Sequence, residues 1–188
     1  MKRSLRMVGL LSLLALPLSL HAQGEAKSVS FGASGGLSLP MGDLADGAEA
    51  GYSVAGHVFL KPNSASKLGF RGDVAYDSWG AKGLAGSVAD GSLSSLAFAA
   101  NAMFSLGDDA AAMKPYLIGG GGMYRTKASF SVLGFEGSAT DTNAGIQAGA
   151  GFEFKLSGFS TFLEAKFVNV FSEGNSSTYI PITFGVKF

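Results

Sequence analysis

Ile180-Pro-Ile-Thr-Phe-Gly-Val-Lys-Phe188 closes the chain, with Ile180, Ile182, Phe184, Val186 and Phe188 alternating with Pro181, Thr183, Gly185 and Lys187. Period-2 alternation marks a strand with one apolar face, and here that face runs unbroken to the last residue. A strand left at the edge of an open sheet is a template for aggregation, whereas pairing it with the first strand of a closed sheet abolishes the edge. The stretch therefore predicts a final strand that seals a barrel.

Working back from it, seven more segments alternate in the same way. They are Ser28 to Leu39, Gly51 to Lys61, Leu68 to Asp77, Leu93 to Leu106, Pro115 to Lys127, Asn143 to Leu156 and Phe159 to about Phe171. Short turns separate them at Lys61–Lys67, Gly107–Lys114 and Ser157-Gly158. Longer loops are expected at Pro40–Ala50, Trp79–Gly91, Ala128–Thr142 and Ser172–Thr178. One face of every segment is free of Asp, Glu, Lys and Arg. In the fifth segment that face is read as Tyr116, Ile118, Gly120, Gly122 and Tyr124. The other face collects Arg71, Asp73, Arg125, Glu153, Lys155, Glu164, Lys166 and Lys187.

The Ser157-Gly158 turn fixes one register. A two-residue hairpin pairs Leu156 with Phe159, 154 with 161 and 152 with 163. Phe152, Phe154, Leu163 and Phe167 then share a face, and Glu164 lies opposite Gly151 and Lys166 opposite Gly149. Long charged side chains over glycines suit a narrow interior filled by side chains. Charges sealed there must pair, because an unpaired buried ion costs several kcal/mol.

Met1 to Ala22 reads as a secretory leader: Lys2, Arg3 and Arg6, then an apolar run from Met7 to Leu20 broken by Pro17. Residues 23–188 form the expected mature domain. Without the leader, eleven basic residues face fourteen acidic ones, a net −3 that argues against a nucleic-acid partner. There is no cysteine, so disulfides, thiolate metal sites and cysteine nucleophiles are excluded. No later stretch approaches the ~20 apolar residues of a membrane helix, so any crossing must use strands.

An ordinary sandwich also alternates. The leader, the aromatic terminus, the even strand number and the turns alternating with loops select an all-β, eight-stranded antiparallel up-and-down transmembrane barrel. The chain resembles the small eight-stranded outer-membrane barrels, the opacity-protein-like and OmpX-like domain. The resemblance rests on Lys114–Arg125, Asn143–Phe154, Phe162-Leu-Glu-Ala-Lys166 and Ile180–Phe188. It implies a bacterial outer-membrane location with periplasmic termini, contact with outer-membrane lipid and lipopolysaccharide, and Phe188 as a signal to the barrel-assembly machinery. It carries no shared catalytic residue.

Other chemistry is weakly supported. Gly119–Gly122 lacks the Gly-Lys-Ser/Thr and the helix of a phosphate loop, so no nucleotide, and no other cofactor, is expected. His57 is the only histidine after the leader and falls on the interior face without a serine two residues away, which favours a hydrogen-bonded interior residue over a hydrolase base. Asp43, Asp46, Glu49, Asp90, Glu136, Asp141 and Glu173 lie in the loops without the spacing of a calcium loop. The reading is a non-enzymatic structural or surface-interaction barrel that recognises any external ligand, itself unidentified, through its loops. A narrow small-molecule channel is the alternative, and a soluble lipocalin-like binder a weaker one.

Overall fold

The computed structural model describes residues 28–63, 66–82, 89–107, 111–132, 135–172 and 175–188; the expected leader lies outside them. Eight strands follow in order: β1 (Ser28–Met41), β2 (Gly51–Lys61), β3 (Leu68–Gly80), β4 (Ala89–Ser105), β5 (Met113–Val132), β6 (Phe135–Lys155), β7 (Ser160–Ser172) and β8 (Asn175–Lys187). A five-residue helix, α1 (Asp43–Gly47), sits between β1 and β2. Each strand pairs antiparallel with the next, and β8 returns to β1 from Gly32↔Lys187 to Met41↔Thr178, closing an up-and-down barrel. The terminal stretch makes the seam that its alternation demands.

The β6–β7 register agrees with the sequence residue for residue. Phe152 faces Leu163, Phe154 faces Thr161, Gly151 faces Glu164 and Gly149 faces Lys166. Leu156 N donates to Phe159 O at 2.9 Å, and Gly158 takes a φ of 93°, a left-handed conformation that glycine adopts without strain.

The distribution of polarity is inside-out. Thirty large hydrophobic side chains stand exposed among the described residues, among them Leu37, Phe98, Ile146, Phe167 and Phe184, each at least half exposed. A water-soluble monomer does not expose apolar surface on this scale. Tyr52 and Tyr76 (6.2 Å apart) border this belt toward the four loops, and Phe159 and Phe188 (6.4 Å) border it toward the chain ends. The interior holds His57, Arg71, Asp73, Asp77, Asn101, Gln147, Glu164 and Lys166, all buried.

Two expectations need correction. Three connections are shorter than read, because β3 runs through Trp79 to Gly80, β4 starts at Ala89, β5 and β6 extend to Val132 and from Phe135, and β8 starts at Asn175. The β5–β6 extension is rich in Ser, Thr, Ala and Gly, and its one short alternation, Ala128, Phe130 and Val132 against Lys127, Ser129 and Ser131, is too brief to stand out from a loop; unbroken pairing of β5 with β6 makes it a strand. The facing of β5 is also reversed: Tyr116, Ile118 and Tyr124 are buried inside, while Leu117, Met123 and Arg125 are exposed outside. Both faces of this strand are apolar or glycine, so the period left Arg125 as the sole cue. Arg125 pairs with Leu96, which faces Tyr76, at the loop-end border of the belt, where an outward cation is no longer in the apolar zone.

Candidate functional site

The centre of the interior is an ion network built from strands on opposite walls. Arg71 on β3 donates from both terminal nitrogens to the two oxygens of Glu164 on β7, each at 2.7 Å. Its Nε lies 2.8 Å from Asp73 Oδ1, and Nη2 donates to Asp73 Oδ2 at 3.1 Å. A fork-to-fork pair adds direction to charge. Tyr116 OH donates to Glu164 at 2.7 Å, Asn101 Nδ2 to Asp73 at 3.0 Å, and Gln147 Nε2 to Asn101 Oδ1 at 2.6 Å. Lys166 Nζ stands 3.4 Å from Asp73 and 3.8 Å from Glu164. Inward glycines make the room: a Cβ on Gly151 would lie 2.5 Å from the Tyr116 hydroxyl.

Four of the eight sequence-derived residues, Arg71, Asp73, Glu164 and Lys166, therefore meet. Glu153 and Lys187 form a separate half-buried pair, 2.7 Å apart, at the mouth near the chain ends. Lys155 is exposed on the rim of that mouth, where it joins Lys61, Lys67 and Lys114 around a cavity of about 280 Å³. Arg125 is outside the barrel altogether.

His57 also belongs to the network, and its contacts have a familiar order. Nδ1 is 2.8 Å from Asp73 Oδ1, and Nε2 is 2.9 Å from Ser34 Oγ. A nucleophile, base and orienting carboxylate are thus in line at catalytic distances. The surroundings differ from those of a hydrolase. The void beside Ser34, His57 and Lys166 measures about 20 Å³, room for a single water. Ser34 lies within β1, paired with Ala55 on one side and Gly185 on the other, so nearby backbone amides are held in the ladders. Asp73 is shared with Arg71, Lys166 and Asn101. The serine comes from β1, the strand paired with that of His57, and the β1–β2 register, Gly32↔His57 and Ser34↔Ala55, sets the two side chains diagonally across the ladder.

Toward the loops the interior turns apolar. Trp79 and Tyr179 meet edge-on at 4.9 Å, packed with Tyr124, Val168, Val170 and Ala48, with Leu44 of α1 against them. Trp79 Nε1 donates to Ser38 O at 3.2 Å. The first loop thereby caps the bore, and reading Trp79 as a loop residue concealed this. Toward the chain ends His57 packs between Phe59 (5.8 Å) and Phe162 (5.6 Å).

Gly119–Gly122 lie mid-strand, paired on both sides, so their N–H groups form no phosphate cradle. Asp43, Asp46, Glu49, Glu136 and Asp141 are exposed, and Glu173 falls outside the described residues. No group of three metal-ligating side chains exists among the described residues.

β4, β5 and β6 are 17, 20 and 21 residues long, against 11 to 14 for the others. Their surplus stands beyond the barrel at the loop end as a three-stranded sheet, and Phe130, 56% exposed, lies on it across from Gly137.

No protein-family profile and no curated protein sequence matches the chain. Solved structures do. Neisserial surface protein A superposes with a TM-score of 0.60 at 18% identity, covering 87% of this chain and 98% of that one. Ail, the attachment invasion locus protein of Yersinia pestis, gives 0.54 at 18%, covering 86% and 99%. A major outer membrane protein from Thermus thermophilus gives 0.56 at 10%, covering 86% and 99%. The fold is that of the small eight-stranded outer-membrane barrels. Within that barrel fold, the plugged bore and the projecting sheet are the features that bear on function.

Proposed function

We propose that the chain is a bacterial outer-membrane surface barrel: the bore is a structural plug, and recognition occurs on the sheet that β4, β5 and β6 raise beyond it. One observation carries this reading. The projecting sheet is where regular structure is built in excess of what a barrel needs, and it sits at the end with the loops. The apolar belt supports a lipid setting, and the names of two fold neighbours, a surface protein and an attachment protein, agree with it. Residues 1–22 act as the leader, and the three short turns and both termini of the mature chain face the periplasm.

The channel alternative is disfavoured by the bore itself, which is crossed by the Arg71–Glu164 pair and capped by Trp79 and α1. Hydrolysis at Ser34 is disfavoured by the lack of space for any ester. Lipopolysaccharide is the lipid partner in this reading: Arg125 and Lys127, both exposed at the loop end of β5, offer cations for its phosphate groups. Biotinylation of intact cells expressing the protein tests the orientation. Lys127 should be labelled and Lys155 protected; the opposite pattern overturns the reading.

A further inference from the structure

One interior carboxylate stands outside the ion network. Arg71 and Lys166 are the buried cations of the central bore, and Asp73, Asp77 and Glu164 are its buried carboxylates. Lys114, also buried, belongs to the mouth near the chain ends, opposite Glu153 on the β5–β6 ladder. Arg71 and Lys166 both engage Asp73 and Glu164. Among the described residues Asp77 makes no ion pair. With His57 neutral, two positive charges meet three negative ones, and the surplus falls on Asp77. A buried charge left unpaired is strongly destabilising, so Asp77 needs a neutralising partner.

The strands bring hydroxyls to that carboxylate. Ser53 on β2, Asp77 on β3 and Ser95 on β4 are direct partners in consecutive ladders, Ser53↔Asp77 and Asp77↔Ser95, so their buried side chains stand side by side. Ser38 comes from β1, two residues beyond Gly36, the partner of Ser53. Asp77 lies against Ser38, Ser53 and Tyr179, and Tyr179 lies against Ser95. None of the five is more than 3% exposed. Yet Asp77 Oδ1, Ser38 Oγ and Ser95 Oγ form no hydrogen bond. Buried polar atoms without a partner are rare, and three gathered around one carboxylate point to a ligand that they share.

Chemistry selects that ligand. The donors are all oxygen, the set a hard cation takes. A proton on Asp77 would cancel the charge but supply one donor among three orphaned oxygens, whereas a metal ion is held by all of them. A single surplus charge calls for a monovalent ion. Magnesium keeps several waters and calcium takes about six to eight oxygens. The adjoining void, lined by Ser53, Asp77 and Tyr179 and shared with Ser34, His57 and Lys166, measures about 20 Å³, room for one water-sized particle. Sodium fits that space better than the larger potassium. We propose that Asp77, with the hydroxyls of Ser38, Ser53 and Ser95, binds a sodium ion inside the barrel, beneath the Trp79–Tyr179 cap.

The test uses the full chain folded into phosphatidylcholine vesicles and unfolded by urea in sodium, potassium or choline chloride at equal ionic strength. Beyond the dissociation constant, each tenfold rise in free sodium should raise the folding constant about tenfold. Potassium should do less and choline nothing. Asp77→Asn should remove the sodium response, and Ser95→Ala should shift it to higher sodium. A readout that needs no variant is native mass spectrometry of the wild type from detergent micelles: protein refolded in sodium and moved into ammonium acetate should retain one sodium, and protein refolded in choline none. Equal stability in sodium and choline would leave a proton as the neutralising group and overturn the proposal. So would equal responses to sodium and potassium, a sodium response that survives Asp77→Asn, or a folded wild type that carries no sodium in the mass spectrum.

Discussion

Arg71 and Glu164, 93 residues apart in sequence, face each other across the bore with both guanidinium–carboxylate contacts at 2.7 Å. The pair ties β3 to β7, strands that share no ladder, so it braces the barrel across its width. Removing one partner leaves a buried ion. Glu164→Gln or Arg71→Met should each destabilise by ~3–5 kcal/mol, and the double variant Arg71→Met/Glu164→Leu by much less than the sum. Urea titrations of folding into vesicles, arranged as a double-mutant cycle, measure this; additive losses would show that the two residues act independently.

Two phenylalanines of similar exposure should respond oppositely to charge. Phe167 (50% exposed) lies in the apolar belt, and Phe130 (56%) on the projecting sheet. Phe167→Arg should cost ~2–4 kcal/mol near the belt's centre, while Phe130→Arg should stay within about 0.5 kcal/mol, as at an ordinary surface. Folding titrations in lipid give both values, and equal costs would contradict a lipid boundary below the sheet.

The closed bore predicts electrical silence. Planar bilayers containing the folded protein should show no unitary conductance, and Trp79→Ala, which opens only the loop-end cap, should not create one, because the ion network remains. Steady openings in the wild type would favour the channel alternative.

Ser34 should be inert despite its alignment with His57 and Asp73. A fluorophosphonate probe is far larger than the adjoining 20 Å³ void, so mass spectrometry should find Ser34 unmodified in the folded protein. Labelling at Ser34 that His57→Ala abolishes would establish a working nucleophile.

Phe188 separates packing from biogenesis. Its N–H donates to Phe31 O at 2.8 Å and its carbonyl accepts from Phe31 N at 3.1 Å, while its ring is 71% exposed. Phe188→Ser keeps both backbone bonds and loses little buried apolar area, so refolding in detergent should be nearly normal, with a loss of ~1 kcal/mol or less. If the ring is an assembly signal, the variant should nevertheless accumulate poorly in the outer membrane. Wild-type surface levels would mean that the aromatic terminus serves only packing.

Legibility from sequence followed contrast between neighbouring residues. The β6–β7 hairpin was readable to the residue because Phe152, Phe154, Leu163 and Phe167 alternate with Glu153, Glu164 and Lys166, and because Ser157-Gly158 permits one tight turn. β5 was misread because Tyr116 and Tyr124 are apolar enough for the outer face, although inside they serve as a hydrogen-bond donor to Glu164 and as packing beneath Trp79. The Arg71–Glu164 pair was hidden for a different reason: it crosses the bore, and no local pattern encodes which interior residues share a level; the Ser34–His57 contact depends on the β1–β2 register, which the long connection after Pro40 leaves unfixed.

The seam between β1 and β8 imposes an order on synthesis. The strand that leaves the ribosome first must wait for the strand that leaves last, since Phe31 finds its partner only in Phe188. Until then the growing chain carries two raw sheet borders and an unshielded greasy belt, the conditions under which long-range β-pairing is slow and prone to misassociation. A cell making this protein must therefore hold it unfolded during synthesis, and release it only when the whole length is in hand. Truncated products, lacking the closing strand, would remain permanently open and are natural targets for proteolysis.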